Sequence, residues 1–205
     1  MSASRPVRPA ELAPRLSFDA PATMLERLAA RYAEPQRHYH TWAHVLACFD
    51  ARDQLTRAKS PEIDLALLFH DAIYEPLAKD NEDKSAELLV EEGRRAWLDD
   101  GVLLRARALV AVTKHDAEPA GSEEACIVVD ADLSILGADA ARFDVYEDEV
   151  RREYAVVPEP AYVAGRRAVL QGFLARPKIY ATRRGQELWE ARARENLARS
   201  LARLV

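Results

Sequence analysis

Long apolar runs are missing from this chain. No stretch approaches the ~18 residues that a membrane-spanning helix needs, so no membrane association is expected. The N-terminus lacks the apolar centre of a secretory signal, which makes the cytoplasm the expected location. Cysteine is scarce. Cys48 and Cys126 sit among apolar residues and neither belongs to a CxxC pattern, so both read as buried free thiols. Glycine is limited to seven residues, which favours helices over a sheet. A charge excess is missing too. With 34 acidic against 29 basic residues the net charge is −5, which argues against a protein that grips long nucleic acid.

What is present is helical. The 205 residues, 49% of them hydrophobic, suit one domain with a substantial core. Residues 1–18 carry Pro6, Pro9 and Pro14 and are expected to be a flexible or loosely docked leader, with a single domain over 19–205. Asp19 and Pro21 open a first helix with Met24, Leu25, Leu28 and Tyr32 on one face, and Pro35 stops it. A second helix is expected from about His40 to Lys59. Ser60-Pro61 then reads as an N-cap with proline at the first helical position. The helix after it, 61–73, is apolar almost all round and should be central.

Asp80 is expected to cap the next helix, with Ala86, Leu89, Ala96 and Trp97 inward, and Gly101 to separate it from a helix carrying Leu103 to Thr113. Residues 126–129 have strand-like types, but they run into Asp130–Leu136 and stop at Gly137, so helix is preferred. Further helices are expected from Asp139, over about 161–175, and from about Thr182 to Leu204. Leu197, Leu201 and Leu204 share a face that suits packing on the chain's own core or on a second copy, so a homodimer stays open.

Four residues stand out: His44, the adjacent pair His70-Asp71, and Asp132. The pair closes the apolar stretch Leu65–Phe69, where charge is costly unless paired or bound to a metal. Two imidazoles and two carboxylates form a mixed N/O set able to hold one divalent ion with open positions. Neighbours on a helix diverge by about 100°, so His70 and Asp71 converge only beside the helix's last turn. His40 and His44, four apart, should share a helix face.

The order of these residues resembles the HD superfamily of metal-dependent phosphohydrolases, and in particular a branch of predicted bacterial phosphohydrolases. The segments that carry the resemblance are RHYHTWAH at 37–44, ALLFHDAIYEP at 66–76, DNEDKSAELL at 80–89, DADLSILG at 130–137 and ENLARSL at 195–201. It implies an all-α, single HD-type domain with the metal at its centre. The implied ligands are His44, His70, Asp71 and Asp132; Asp130 is the rival for the last place, but the family pattern puts the ligand at the second carboxylate of Asp-x-Asp, which leaves Asp130 a supporting or structural carboxylate.

The implied reaction is hydrolysis of a small phosphate ester, a nucleotide foremost, by a metal-activated water. Asp71, Glu75 and Glu82 are the candidates for positioning or deprotonating that water. In some relatives a catalytic Glu stands three residues after the doublet. Here that place is Tyr74, with Glu75 one further on. Arg37, His38, His40, Lys114 and His115 are the candidates for binding substrate. Lys178, Arg183 and Arg184 read as a solvated basic surface or a lid. The ligand set suits Mn²⁺, Co²⁺, Ni²⁺, Zn²⁺ or Fe²⁺ better than Mg²⁺ alone. His115 is the sole histidine between the doublet and Asp132, which favours one metal ion over two. The alternatives from other classes are an iron oxygenase of the same fold and a non-catalytic metabolite-binding module.

Overall fold

The computed structural model describes residues 9–114 and 121–204. The described residues are all helical, without a strand. The helices are α1 (Ala22–Arg31), α2 (Trp42–Leu55), α3 (Pro61–Phe69), α4 (Asn81–Arg95), α5 (Asp100–Ala111), α6 (Glu123–Asp132), α7 (Ala140–Glu153), α8 (Glu159–Ala175) and α9 (Arg183–Arg203). Among the described residues no helix is long and apolar enough to cross a membrane.

Helix α3 is the axis. Ser60 accepts a hydrogen bond from the Ile63 amide, Pro61 fills the first turn, and every residue from Ile63 to Phe69 is buried. A helix apolar all round needs neighbours on every side. It packs against α2, α4, α5 and α6, while α2 also packs on α6. The segment 126–129 is helical, within α6. A 3-10 turn, Leu133–Gly137, carries the chain from α6 onto α9. Gly137 is required there, because a Cβ would lie 2.4 Å from that of Trp189.

Several boundaries differ from the sequence expectations. Helix α2 starts at Trp42, so His40 precedes it and shares no helix face with His44. Helix α3 ends at Phe69 rather than 73. The carbonyls of Asp71 and Ala72 accept from the Arg37 guanidinium, and the Ile73 amide donates to Ser85. These partners, distant in sequence, unwind the chain at the His-Asp doublet. Asp80 stands at the start of α4 without a side-chain cap and pairs instead with Lys84 at 2.9 Å. Gly101 lies inside the first turn of α5, which is capped by Asp99.

Trp97 is 94% exposed rather than inward. It has φ 58° at the end of α4, where the amides of Trp97 and Leu98 bond back to Arg94 and Gly93. Over residues 9–18 the leader docks on the core. Leu12 is fully buried, Arg15 pairs with Asp50 and Asp53, and Ser17 donates to Asp64.

Candidate metal centre

His44 sits in the first turn of α2, His70 and Asp71 in the turn after α3, and Asp132 at the last residue of α6. Their donor atoms converge. His44 Nε2 lies 3.0 Å from His70 Nε2, 3.4 Å from Asp71 Oδ2 and 3.1 Å from Asp132 Oδ1. His70 Nε2 lies 3.1 Å from Asp71 Oδ2 and 3.5 Å from Asp132 Oδ1. Ligand bonds of about 2.1 Å around one ion place neighbouring donors about 3.0 Å apart in octahedral and about 3.4 Å apart in tetrahedral geometry. The five separations fall on those edges.

The ring orientations give an independent test. His70 Nδ1 donates to the Leu67 carbonyl at 3.1 Å, which turns its Nε2 lone pair toward His44. Two lone-pair nitrogens at 3.0 Å repel unless a proton or a cation lies between them. The group therefore fits a divalent cation.

Without an ion, protons fill this role. Burial opposes the charged imidazole at His70, but Asp71 and Asp132 outweigh it and raise its pKa well above the usual range. His44 is raised likewise, against burial, by Cys48, Tyr39 and the two carboxylates. Burial pushes the Asp71 carboxyl up, yet His70 and then His40 hold it well below the usual range. The imidazoles are almost fully buried, whereas the Asp71 and Asp132 side chains keep 16% and 13% exposure, so the cluster opens on its carboxylate side.

It opens into a cavity of about 520 Å³. His40, Glu82 and Lys114 line that cavity beside Asp71 and Asp132. Lys114 Nζ also pairs with Asp83 at 2.8 Å. Other expected site residues lie elsewhere. Arg37 is turned inward, its guanidinium donating to the carbonyls of His40, Asp71 and Ala72 and packed over the rings of Tyr32 and Tyr74. It holds the doublet's turn rather than a substrate. His38 contributes its backbone amide to Glu153, and its ring is not part of the cavity wall. Glu75 is exposed and likewise absent from the wall, because the Asn81 side chain pins its backbone in the loop before α4. His115 lies outside the described residues. Arg183 and Arg184 are exposed and pair with Glu187, as a solvated surface does.

Asp130 faces away from the cluster. It accepts from the amides of Ala181 and Thr182 and from the Thr182 hydroxyl, tying α6 to the start of α9. Gly185 permits this approach, since a Cβ there would lie 2.5 Å from Asp130 Oδ2.

Two contributors escaped the sequence reading. Cys48 Sγ lies 3.6 Å from His44 Nε2, and His44, Cys48, His70 and Asp132 all offer donor atoms within 4.8 Å of one another. The i, i+4 spacing of His44 and Cys48 on α2 was the available signal. Asp71, rather than Cys48, completes the tighter set, because its oxygen reaches both imidazoles within 3.4 Å.

Glu153 is the other. Its Oε1 accepts from the amides of His38, Tyr39 and His40, and its Oε2 meets His40 Nδ1 at 2.7 Å and the Tyr74 hydroxyl at 2.9 Å. Burial would raise this carboxyl, but His40 and the amides of His38 and His40 pull it down to about 2. Nothing in RREY at 151–154 distinguishes Glu153 from a solvated helical glutamate.

No protein-family model, curated protein or solved structure matches this chain.

Proposed function

We propose that this chain is a metal-dependent phosphohydrolase of the HD type, acting on a small phosphate ester. The observation that carries the reading is that the His44 and His70 Nε2 atoms lie 3.0 Å apart, each within 3.5 Å of Asp71 and Asp132 oxygens, with both aspartates in the wall of a cavity. The motif order described above supports the family. The four side chains would hold one divalent ion, and a 3d metal suits two imidazoles better than Mg²⁺. When bound, such an ion supplies Lewis acidity toward water and phosphoryl oxygens.

The chain's own groups do the rest. His70 is aimed by the Leu67 carbonyl and Asp71 by the Arg37-held turn, so neither needs to reorganise when the ion enters. Asp71 and Glu82 are the carboxylates beside which an attacking water would be oriented and relieved of its proton. Lys114 faces the phosphate as a point charge. Glu153 fixes His40 with Nδ1–H toward the carboxylate, which leaves Nε2 to meet the substrate as donor or acceptor. His40 also stacks on Tyr74 at 4.2 Å, so its ring is held on two sides.

The test is phosphate release from a panel of nucleotides and phosphate esters. Metal-stripped protein would be supplied with Mn²⁺, Co²⁺, Ni²⁺, Zn²⁺ or Mg²⁺, beside the Asp71→Ala variant. Metal-dependent release that the variant loses is the expected result. Stoichiometric metal without release from any ester would overturn the reaction class.

A further inference from the structure

The cavity has two chemically distinct ends. The inner end carries Asp71, Asp132, Glu82, His40 and Lys114. The outer end is walled by α7 and α8, with Val150, Tyr154, Tyr162, Val169 and Phe173. Among the described residues of that outer wall, polar side-chain atoms are confined to tyrosine hydroxyls and Arg166. Arg166 is already committed: it pairs with Glu147 and lies over the Tyr146 ring at 5.2 Å, with 9% of its side chain exposed. It serves as wall rather than as a phosphate receptor.

Resting on the phosphohydrolase reading, we infer that the substrate is a phosphate monoester of a flat aromatic body, its phosphate at the inner end and its ring against α8. The charge inventory selects one phosphate. Positive charge at the inner end comes from the ion and from Lys114, itself paired with Asp83, and it faces the carboxylates of Asp71, Asp132 and Glu82. A second or third phosphate would have to lie against tyrosine rings and valines, where its desolvation has no compensation. The wall selects the body. Valines and tyrosine rings make up most of that wall, and aromatic rings prefer tilted or offset aromatic neighbours. Tyr154 and Tyr162 supply such a pair, with centroids 6.2 Å apart at 48°.

Space for that ring is present. Ala161, Gly165 and Val169 recur at four-residue intervals along α8 and all line the cavity. A Cβ added at Gly165 would meet nothing within 4 Å. Gly165 is itself exposed, so a larger side chain there adds bulk at the open rim of the cavity, and it also favours the helix.

The experiment measures binding of two non-hydrolysable probes, phenylphosphonate and methylphosphonate, to metal-loaded wild type, Gly165→Ala and Gly165→Leu by calorimetry. Phosphate release from adenosine mono- and triphosphate is followed in parallel. Wild type and Gly165→Ala should bind phenylphosphonate about 10-fold more tightly than methylphosphonate, as one aromatic contact allows. Gly165→Leu should lose that preference while keeping its metal, its melting temperature and its affinity for methylphosphonate. Release should favour the monophosphate.

Equal binding of the two probes by wild type overturns the inference. So does a phenyl preference that survives in Gly165→Leu, or release that favours the triphosphate. A phenyl preference that Gly165→Leu abolishes, with no release from any ester, upholds the aromatic subsite while the hydrolase reading fails.

Discussion

Two groups of buried charge lie less than two helical turns apart along α3 and its following turn, and they are built differently. At Asp64 the carboxylate meets the Arg52 guanidinium, the Ser17 hydroxyl and the Ser17 amide, and both Asp64 and Arg52 are almost fully buried. Its cation is permanent and covalently part of the chain. Burial still pushes the Asp64 carboxyl above its usual range, against Ser17 and Arg52. At Asp71 and Asp132 the neighbours are imidazoles, whose charge is conditional on a proton. Here the histidines are raised and Asp71 is held low, so the cluster retains positive charge against burial. Arg52 and Asp64 close a joint between the leader, α2 and α3. The second cluster has donor atoms spaced to fit a metal cation, and its carboxylates face a cavity.

Substitutions can break this contrast. The largest expected effect is on activity. Asp71→Ala should lose bound metal and more than about 10³-fold of phosphate release, since water activation and charge withdrawal are each worth several kcal/mol. Its circular dichroism should remain helical. Retained stoichiometric metal by elemental analysis would sink the ligand assignment.

Asp64→Ala should do the reverse. Arg52 would keep only Asp53, at 2.8 Å, as a carboxylate partner, and losing the buried half of the pair should cost about 3 kcal/mol in denaturant unfolding, with metal content unchanged per folded molecule. Loss of metal at full stability would erase the distinction between the two clusters.

Glu153 sharpens the contrast from a third side, because its partners include fixed amides as well as a histidine. Glu153→Gln should cost about 1–3 kcal/mol of stability. The sign of its pH dependence follows from its depressed carboxyl at about 2. Between that value and the unfolded value of about 4.3 the unfolded chain binds more protons, so this contribution is present above the window and fades as pH falls through it. Denaturation of wild type and variant at pH 6 and pH 3 should show the difference shrinking at the lower pH. A constant difference would assign Glu153 no charged role.

The smallest effect is expected at Cys48. Cys48→Ala removes a sulfur that touches His44 but leaves the tighter N/O set intact, so metal should stay bound and stability should fall by about 1 kcal/mol. Metal lost in this variant would move Cys48 into the ligand set in place of Asp71.

Much of the architecture was legible locally. Ser60-Pro61 marked the start of α3, its unbroken apolar run marked it as central, and helix was the right choice over strand at 126–129. The same holds for His70-Asp71, because charge at the end of a core helix is informative by itself, whereas His44 and Asp132 joined the pair through the order of residues in the resemblance. Asp130 ties α6 to the start of α9 while Asp132 joins the cluster, a division that the family resemblance implied and no local pattern encodes. Other positions gave no usable signal. Arg37 looked like a phosphate binder because a sequence displays its charge but not the three carbonyls that absorb it. Trp97 looked like core because its type is apolar, yet a helix terminus put it in solvent.

The sequence by itself determined the helices, the buried axis and the residue types that meet at its end, because these follow from periodicity, capping and the cost of burying charge. Tertiary structure decided where α3 stops, since that depends on Arg37 and Ser85 reaching the doublet's turn from other elements. It also decided that Glu153, 113 residues from His40, holds that histidine in place. The shape of the outer cavity was settled in the same way, by α7 and α8 packing over the cluster. Side-chain direction and long-range partnership are properties of the packed chain, and no local pattern encodes them.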